Sequence, residues 1–320
     1  MNKMKKIQKM FFALGTANSI LVNHEEEQEE KVLSVLEIIK KRIQQLDDEL
    51  SVFKENSEIS QIRKLAGKSL VEVSPDTYHI IKKSIGYAVC SKETFDITSR
   101  PLSELWGIGK KGDYIPSTKD IQRAKKLVNY QDILLQENPY RIGMRKKGQA
   151  IDLGGIAKGF AADWARDILI QYQITEAIIN FGGTVIVLGQ EKTIGIQNPE
   201  SDTGKAIGSL TVKNQAVVTS GVYERFFLKD GIRYHHILDL QTGKPSDTGI
   251  AGITVIGESA MEMDALATSV ILLGIEAGME LIRKFHAEGI FITDTKEVYI
   301  TPGLTNKFQM INLQENSYGK

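Results

Sequence analysis

Ala177-Ile178-Ile179-Asn180-Phe181-Gly182-Gly183-Thr184-Val185-Ile186-Val187-Leu188 is the stretch that decides the fold class. Two short β-like runs, Ala177 to Phe181 and Thr184 to Leu188, flank a Gly-Gly turn. The same texture continues downstream at Thr193 to Gln197, Gly208 to Val212, Ala216 to Thr219, Phe226 to Leu228 and Tyr234 to Leu238. Two helices punctuate these runs, Ile156 to Tyr172 and Ala260 to Leu273. A third, Glu276 to His286, precedes strands at Gly289 to Thr293 and Val298 to Ile300. Runs of strands with interspersed helices predict an α+β fold, not a regular βαβ alternation.

Upstream of Gln149 the helical period dominates. Glu25-Glu26-Glu27 opens a helix to about Leu50, with Val32, Leu33, Leu36, Ile39, Ile43 and Leu46 as its apolar stripe. The acidic run suits the helix N-terminus. Ser74-Pro75 starts a second helix that buries Ile80, Ile81, Ser84 and Tyr87. Thr118 to Leu127 reads as a short surface helix, and Phe95 to Gly107 as a loop. Near the start, the pattern predicts one strand, Phe11 to Val22, after a basic opening.

The chain has 320 residues, with Lys+Arg 40 balancing Asp+Glu 40. At 42% hydrophobic residues it has the composition of a globular protein, not a disordered one. With no net positive charge, binding to nucleic acid through bulk charge is excluded. The single cysteine, Cys90, rules out an intrachain disulfide and a Cys-rich zinc site, and is expected to pack as a small apolar residue. The apolar run Met10 to Leu14 is too short to span a membrane. Lys3, Lys5, Lys6 and Lys9 before it loosely imitate a signal peptide, but Gly15, Thr16, Asn18 and Ser19 interrupt the pattern, so a cytoplasmic protein is expected. No linker is evident, so residues 1–320 read as one domain with a loose tail over 309–320.

Several constellations could carry chemistry. Asp152-Leu153-Gly154-Gly155-Ile156-Ala157-Lys158-Gly159 brings glycines and a lysine to a helix start, which suits either an anion site or a tight strand-to-helix turn. Its spacing is neither a Walker loop nor a dinucleotide fingerprint. Asp264 and Thr268 lie one turn apart on a helix face. Their oxygens suit Mg²⁺, while a helix-terminal aspartate with a back-bonding threonine explains the same pair. Tyr234-His235-His236-Ile237-Leu238-Asp239 offers a histidine before a turn as a general base, or else one surface and one core histidine. Ser220, in Thr219-Ser220-Gly221-Val222-Tyr223-Glu224-Arg225, is outside a nucleophile elbow, so a serine hydrolase is disfavoured. Phe95-Asp96-Ile97-Thr98 reads as a turn capped by Asp96 or as a pocket wall.

Taken together and in this order, these segments resemble the ApbE family of flavin transferases. The likeness runs from Leu14-Gly15-Thr16 to about Leu273 and includes Ser57-Glu58-Ile59-Ser60, Asn180-Phe181-Gly182-Gly183 and His235 to Pro245. It implies an α+β, T-fold-like architecture with mainly antiparallel sheets. It also implies Mg²⁺-dependent transfer of the FMN half of FAD to a threonine or serine hydroxyl of a target flavoprotein, releasing AMP. Hydrolysis of FAD to FMN and AMP is the alternative, and a non-catalytic FAD-binding module is a third. By this resemblance Asp264, Thr268 and the carbonyl of Gly155 hold the magnesium, and His236 is the catalytic base. Asp152 and Lys158 contact FAD, Leu14 and Phe53 lie by the flavin, and Thr94, Phe95 and Asp96 line the adenosine side. The backbone at Ile237 and Leu238 also faces FAD. Phe53 stands where a tyrosine is usual, Leu14 where a methionine is, Arg100 where many members have glycine, and Leu240 where many have proline.

Overall fold

The computed structural model describes residues 3–199, 201 and 204–311. It opens with a hairpin of β1 (Met4–Ala13) and β2 (Thr16–Glu25). The single strand expected over Phe11 to Val22 is therefore wrong. Leu14 and Gly15 both take positive φ, 55° and 72°, the mirror-image turn that matches the twist of a hairpin. Glycine is at home there, but leucine gives no sign of it.

Helix α1 (Glu29–Leu50) follows a 3-10 turn and buries Val32, Leu36, Ile39, Ile43 and Leu46 as expected. Leu33 falls off that stripe and is exposed, and Val35 takes its place in the core. Next come α2 (Glu58–Lys64), β3 (Val71–Glu72) and α3 (Pro75–Cys90). Ser74 caps α3 by accepting from Thr77 N–H, and Pro75 sits where its missing N–H costs nothing. Cys90, at the end of α3, is exposed, not packed inside. The loop expected from Phe95 is a 3-10 turn, Ile97–Ser99, running into α4 (Arg100–Trp106), which Gly107 ends in the left-handed conformation. The first half closes with α5 (Thr118–Lys125), β4 (Ile133–Gln136) and β5 (Arg141–Met144).

The second half is built from α6 (Ala157–Gln171), β6 (Ala177–Phe181), β7 (Thr184–Leu188), β8 (Lys192–Gln197), β9 (Ala206–Val212) and β10 (Gln215–Gly221). There follow β11 (Phe226–Lys229), β12 (Ile232–His235), β13 (Leu238–Asp239), β14 (Lys244–Pro245) and β15 (Ile250–Gly257). The strand expected over Tyr234 to Leu238 thus breaks at His236. Last come α7 (Ala260–Leu273), α8 (Ile275–Lys284), β16 (Glu288–Thr293), β17 (Val298–Ile300) and β18 (Phe308–Met310). Gln309 and Met310, expected in a loose tail, are strand residues, while 312–320 lie outside the described residues.

The architecture is α+β. An eight-stranded antiparallel sheet runs β1-β2-β6-β7-β10-β15-β16-β17. One face carries α1, α6 and α7, whose apolar sides interlock with Ile20, Ile179, Val218 and Val255 in the main core. On the other face the sheet β18-β9-β8 packs Leu210 and Phe308 against Val187, Val217 and Ile290. Helix α7 is apolar almost all round because α3, α6, α8 and the sheet enclose it. Among the described residues no helix is long and apolar enough to cross a membrane.

Candidate active site

The site grows from the crossing of α6 and α7. Asp163 on α6 caps α7: its carboxylate accepts from Ala260 N–H (2.9 Å), Met261 N–H (3.0 Å) and the Ser259 hydroxyl (2.7 Å). Orphan donors at a helix N-terminus are thereby satisfied by a side chain of the neighbouring helix. One turn earlier on α6, Gly159 has no room for a side chain, since a Cβ there would lie 2.3 Å from Ala260 O. This close approach puts the Gly159 N–H 3.0 Å from Asp264 Oδ2.

Asp264 is 2% exposed. A carboxylate so placed needs charged or hydrogen-bonded partners. Lys158 supplies one, its Nζ lying 3.3 Å from both carboxylate oxygens and 3.1 Å from the carbonyl oxygen of Gly154. The turn before α6 is held by Asp152, whose Oδ1 accepts from Gly154 N–H at 3.0 Å and whose Oδ2 pairs with Arg100 at 3.3 Å. Gly155 faces Thr268: a Cβ at Gly155 would sit 3.2 Å from Thr268 Oγ1 and 3.3 Å from the Phe95 ring. The back-bonding hydroxyl on α7 belongs to Ser269, which donates to Ala265 O, and not to Thr268. Asp264 and Thr268 thus place one carboxylate and one hydroxyl beside the turn Gly154–Gly159. This all-oxygen donor set fits a hard divalent cation such as Mg²⁺.

His236 stands where the ladder breaks between β12 and β13. Arg225 O accepts both the His236 main-chain N–H (3.1 Å) and its ring Nδ1–H (3.2 Å). Because a carbonyl only accepts, the hydrogen is fixed on Nδ1 and Nε2 keeps the lone pair. Burial, reinforced by the Arg225 guanidinium, pulls the pKa of His236 down to about 3, so the ring is neutral at pH 7. Lys158 acts on His236 through its charge, and Glu224 is within electrostatic reach of Lys158, Arg225 and Asp264. His235 is the core histidine of the pair, its Nε2 bound to Ser246 O at 2.9 Å.

A cavity of about 440 Å³ is lined by Thr94 and Asp96, by Asp239 and Gln241, and by Leu272, one turn along α7 from Thr268. Asp96 is also a brace. Its carboxylate accepts from the N–H and hydroxyl of Thr98 and from Tyr130 N–H. Ile237 and Leu238 send their side chains into apolar cores, and Ile237 O accepts from Ser246 N–H. Leu14 donates its N–H to Asp47 Oδ1 at 2.9 Å, which holds the hairpin tip on α1. Phe53 is exposed, with Lys110 Nζ 3.4 Å and Arg100 Cζ 5.1 Å from its ring centre.

Comparison with known proteins gives the family. The family model described as ApbE family matches residues 14–291. The chain belongs to the ApbE family. It is similar to the FAD:protein FMN transferase of Klebsiella pneumoniae, with 36% identity over 81% of this chain and 82% of that one. Its likeness to the Treponema pallidum FAD:protein FMN transferase is 28% over 88% and 83%. The crystal structure of an ApbE protein from Thermotoga maritima superposes with a TM-score of 0.84 at 31% identity, covering 93% of this chain and 98% of that one. Of the residues named from the sequence, Asp264 and Thr268 meet the Gly154–Gly159 turn, and His236 lies within the electrostatic reach of Lys158. The sequence reading did not find Asp163, Lys110 or the carbonyl of Arg225. Asp163 and Arg225 act across 97 and 11 residues of chain, through a cap and a main-chain oxygen that leave no motif.

Proposed function

We propose that this chain transfers the FMN half of FAD to a threonine or serine hydroxyl of a target flavoprotein and releases AMP, with Mg²⁺ held by Asp264, Thr268 and the Gly155 carbonyl. Flavin transfer follows from membership of the family and from relatives named FAD:protein FMN transferase. The observation that carries the mechanism is the placement of His236: its Nδ1–H donates to Arg225 O, which leaves Nε2 to accept a proton, and it lies within the field of Lys158.

In this reading the acceptor hydroxyl loses its proton to His236 Nε2 as its oxygen attacks the FMN-side phosphorus. The P–O bond to AMP breaks, and AMP leaves. When bound, the metal ion supplies Lewis-acid charge to the diphosphate. Lys158 adds positive potential beside the carboxylate that it pairs with. Asp152 and the Gly154 N–H keep the turn in shape, and Asp163 with Gly159 keeps Asp264 aimed at it. The cavity beside Thr94 and Asp96 is the proposed seat of the adenosine half. Residues 1–320 acting as one unit and a cytoplasmic location belong to the same proposal, and cell fractionation checks the latter.

The test is to incubate the protein with FAD, Mg²⁺ and a threonine-bearing acceptor flavoprotein, then measure the acceptor's intact mass and the AMP formed. An added FMN matched by AMP supports transfer. AMP and free FMN without an adduct would make the chain an FAD pyrophosphatase, and bound but unchanged FAD would make it a binding module.

A further inference from the structure

Arg100 and Lys110 lie over the exposed ring of Phe53. Lys110 comes from the loop after α4, and its Nζ lies 3.4 Å from the Phe53 ring centre, in contact with the face. A planar ring stacked on that face would need the same space. Lys110 makes no ion pair among the described residues, and burial together with the charges of Arg100 and Arg225 disfavours its ammonium form. The Nε of Arg100 is buried without a hydrogen-bond partner. The loop also touches the centre itself: a Cβ on Gly109 would lie 4.0 Å from Arg225 Cγ, and Arg225 O holds His236. An ammonium without an ion pair, over an aromatic face, suits a ligand that is both anionic and aromatic.

We propose that Lys110 is a ligand of the dinucleotide's diphosphate that rests on the Phe53 ring until that anion arrives. On binding, the ammonium leaves the ring for the phosphates, and the face it uncovers receives the flavin. Lys110 thereby couples recognition of the charge to exposure of the stacking surface and selects flavins that carry phosphate. This rests on the flavin-transfer reading.

The test compares FAD with riboflavin, which shares the ring but has no phosphate, by quenching of flavin fluorescence without Mg²⁺ or acceptor. Lys110→Met is expected to weaken FAD about tenfold or more, the loss of a charge-assisted contact, while riboflavin binds as well as before or better. Lys110→Arg should restore FAD binding. An unchanged melting temperature confirms that Lys110→Met is folded. If Lys110→Met shifts both ligands equally, or tightens FAD, Lys110 is only a cover and the proposal is overturned. If the unaltered protein binds neither ligand, this proposal and the flavin reading fall together, a result distinct from failure of the Lys110 arm alone.

Discussion

Gly159 donates its main-chain N–H to Asp264 Oδ2 at 3.0 Å, across 105 residues of chain. The bond exists because α6 and α7 touch backbone to backbone, with no space for a methyl group between Gly159 and Ala260. The most buried acid of the centre is thus oriented by the absence of a side chain.

Gly159→Ala is therefore expected to push the two helices apart. Overpacking of this kind costs about 1–3 kcal/mol, and the displaced backbone also loses its bond to Asp264. Urea denaturation should show the lower stability, and the FMN-transfer rate should fall more than stability alone explains. A variant with native stability and rate would show that the contact is soft.

Asp163→Ala removes three acceptor contacts at the start of α7. Loss of a helix cap costs about 0.5–2 kcal/mol. The melting temperature should drop accordingly, and the Mg²⁺ concentration for half-maximal activity should rise as Asp264 loosens. Asp163→Asn, which keeps an acceptor oxygen, should recover part of both.

His236→Ala is expected to reduce transfer by about 10²–10⁴-fold, the usual contribution of a general base. FAD affinity should stay close to that of the unaltered protein, as measured by fluorescence titration. Equal loss of binding and rate would assign His236 to the pocket instead of to proton transfer.

The two histidines also predict how stability follows pH. Burial lowers the pKa of both His235 and His236, the latter to about 3. The unfolded chain takes up these protons near pH 6.5, whereas the folded chain does not. Their contribution is fully present above about pH 6.5 and is lost as pH falls below it, for His236 down to about 3. Urea midpoints at about pH 5 and about pH 7.5 should differ less in His236→Gln than in the unaltered protein. An identical difference in both would place the acid sensitivity elsewhere.

Asp264→Ala should flatten the Mg²⁺ titration and remove most activity. It also leaves Lys158 half-buried without its carboxylate, a loss on the order of 3 kcal/mol for a broken buried pair. Unfolding of Asp264→Ala against the double variant with Lys158→Met separates the two effects, because the double variant should regain stability without regaining metal dependence.

Much of this was legible in the sequence. Ala177–Phe181, Thr184–Leu188 and Ala260–Leu273 fall on the predicted bounds because their composition and flanking glycines leave one choice. The hairpin tip was not, since Leu14 adopts a conformation that its side chain disfavours and that Asp47 stabilises from another element. Helix α4 was hidden by its seven-residue length, although Pro101 stands in its first turn. At the site, Asp264 and Thr268 share a helix face, and their spacing shows it. Arg225 acts through a main-chain oxygen, a group that every residue has, so no residue type could flag it.

Lys158 and Asp264 are separated by 106 positions along the chain. A ribosome-bound fragment that ends before α7 has the lysine and lacks its acid, and the histidine at 236 is added only shortly before. At about 5–20 residues per second, several seconds pass between synthesis of the first component and the last. A product of translation that stops short of α7 therefore cannot assemble the centre, and catalytic competence requires a chain that extends at least through Thr268.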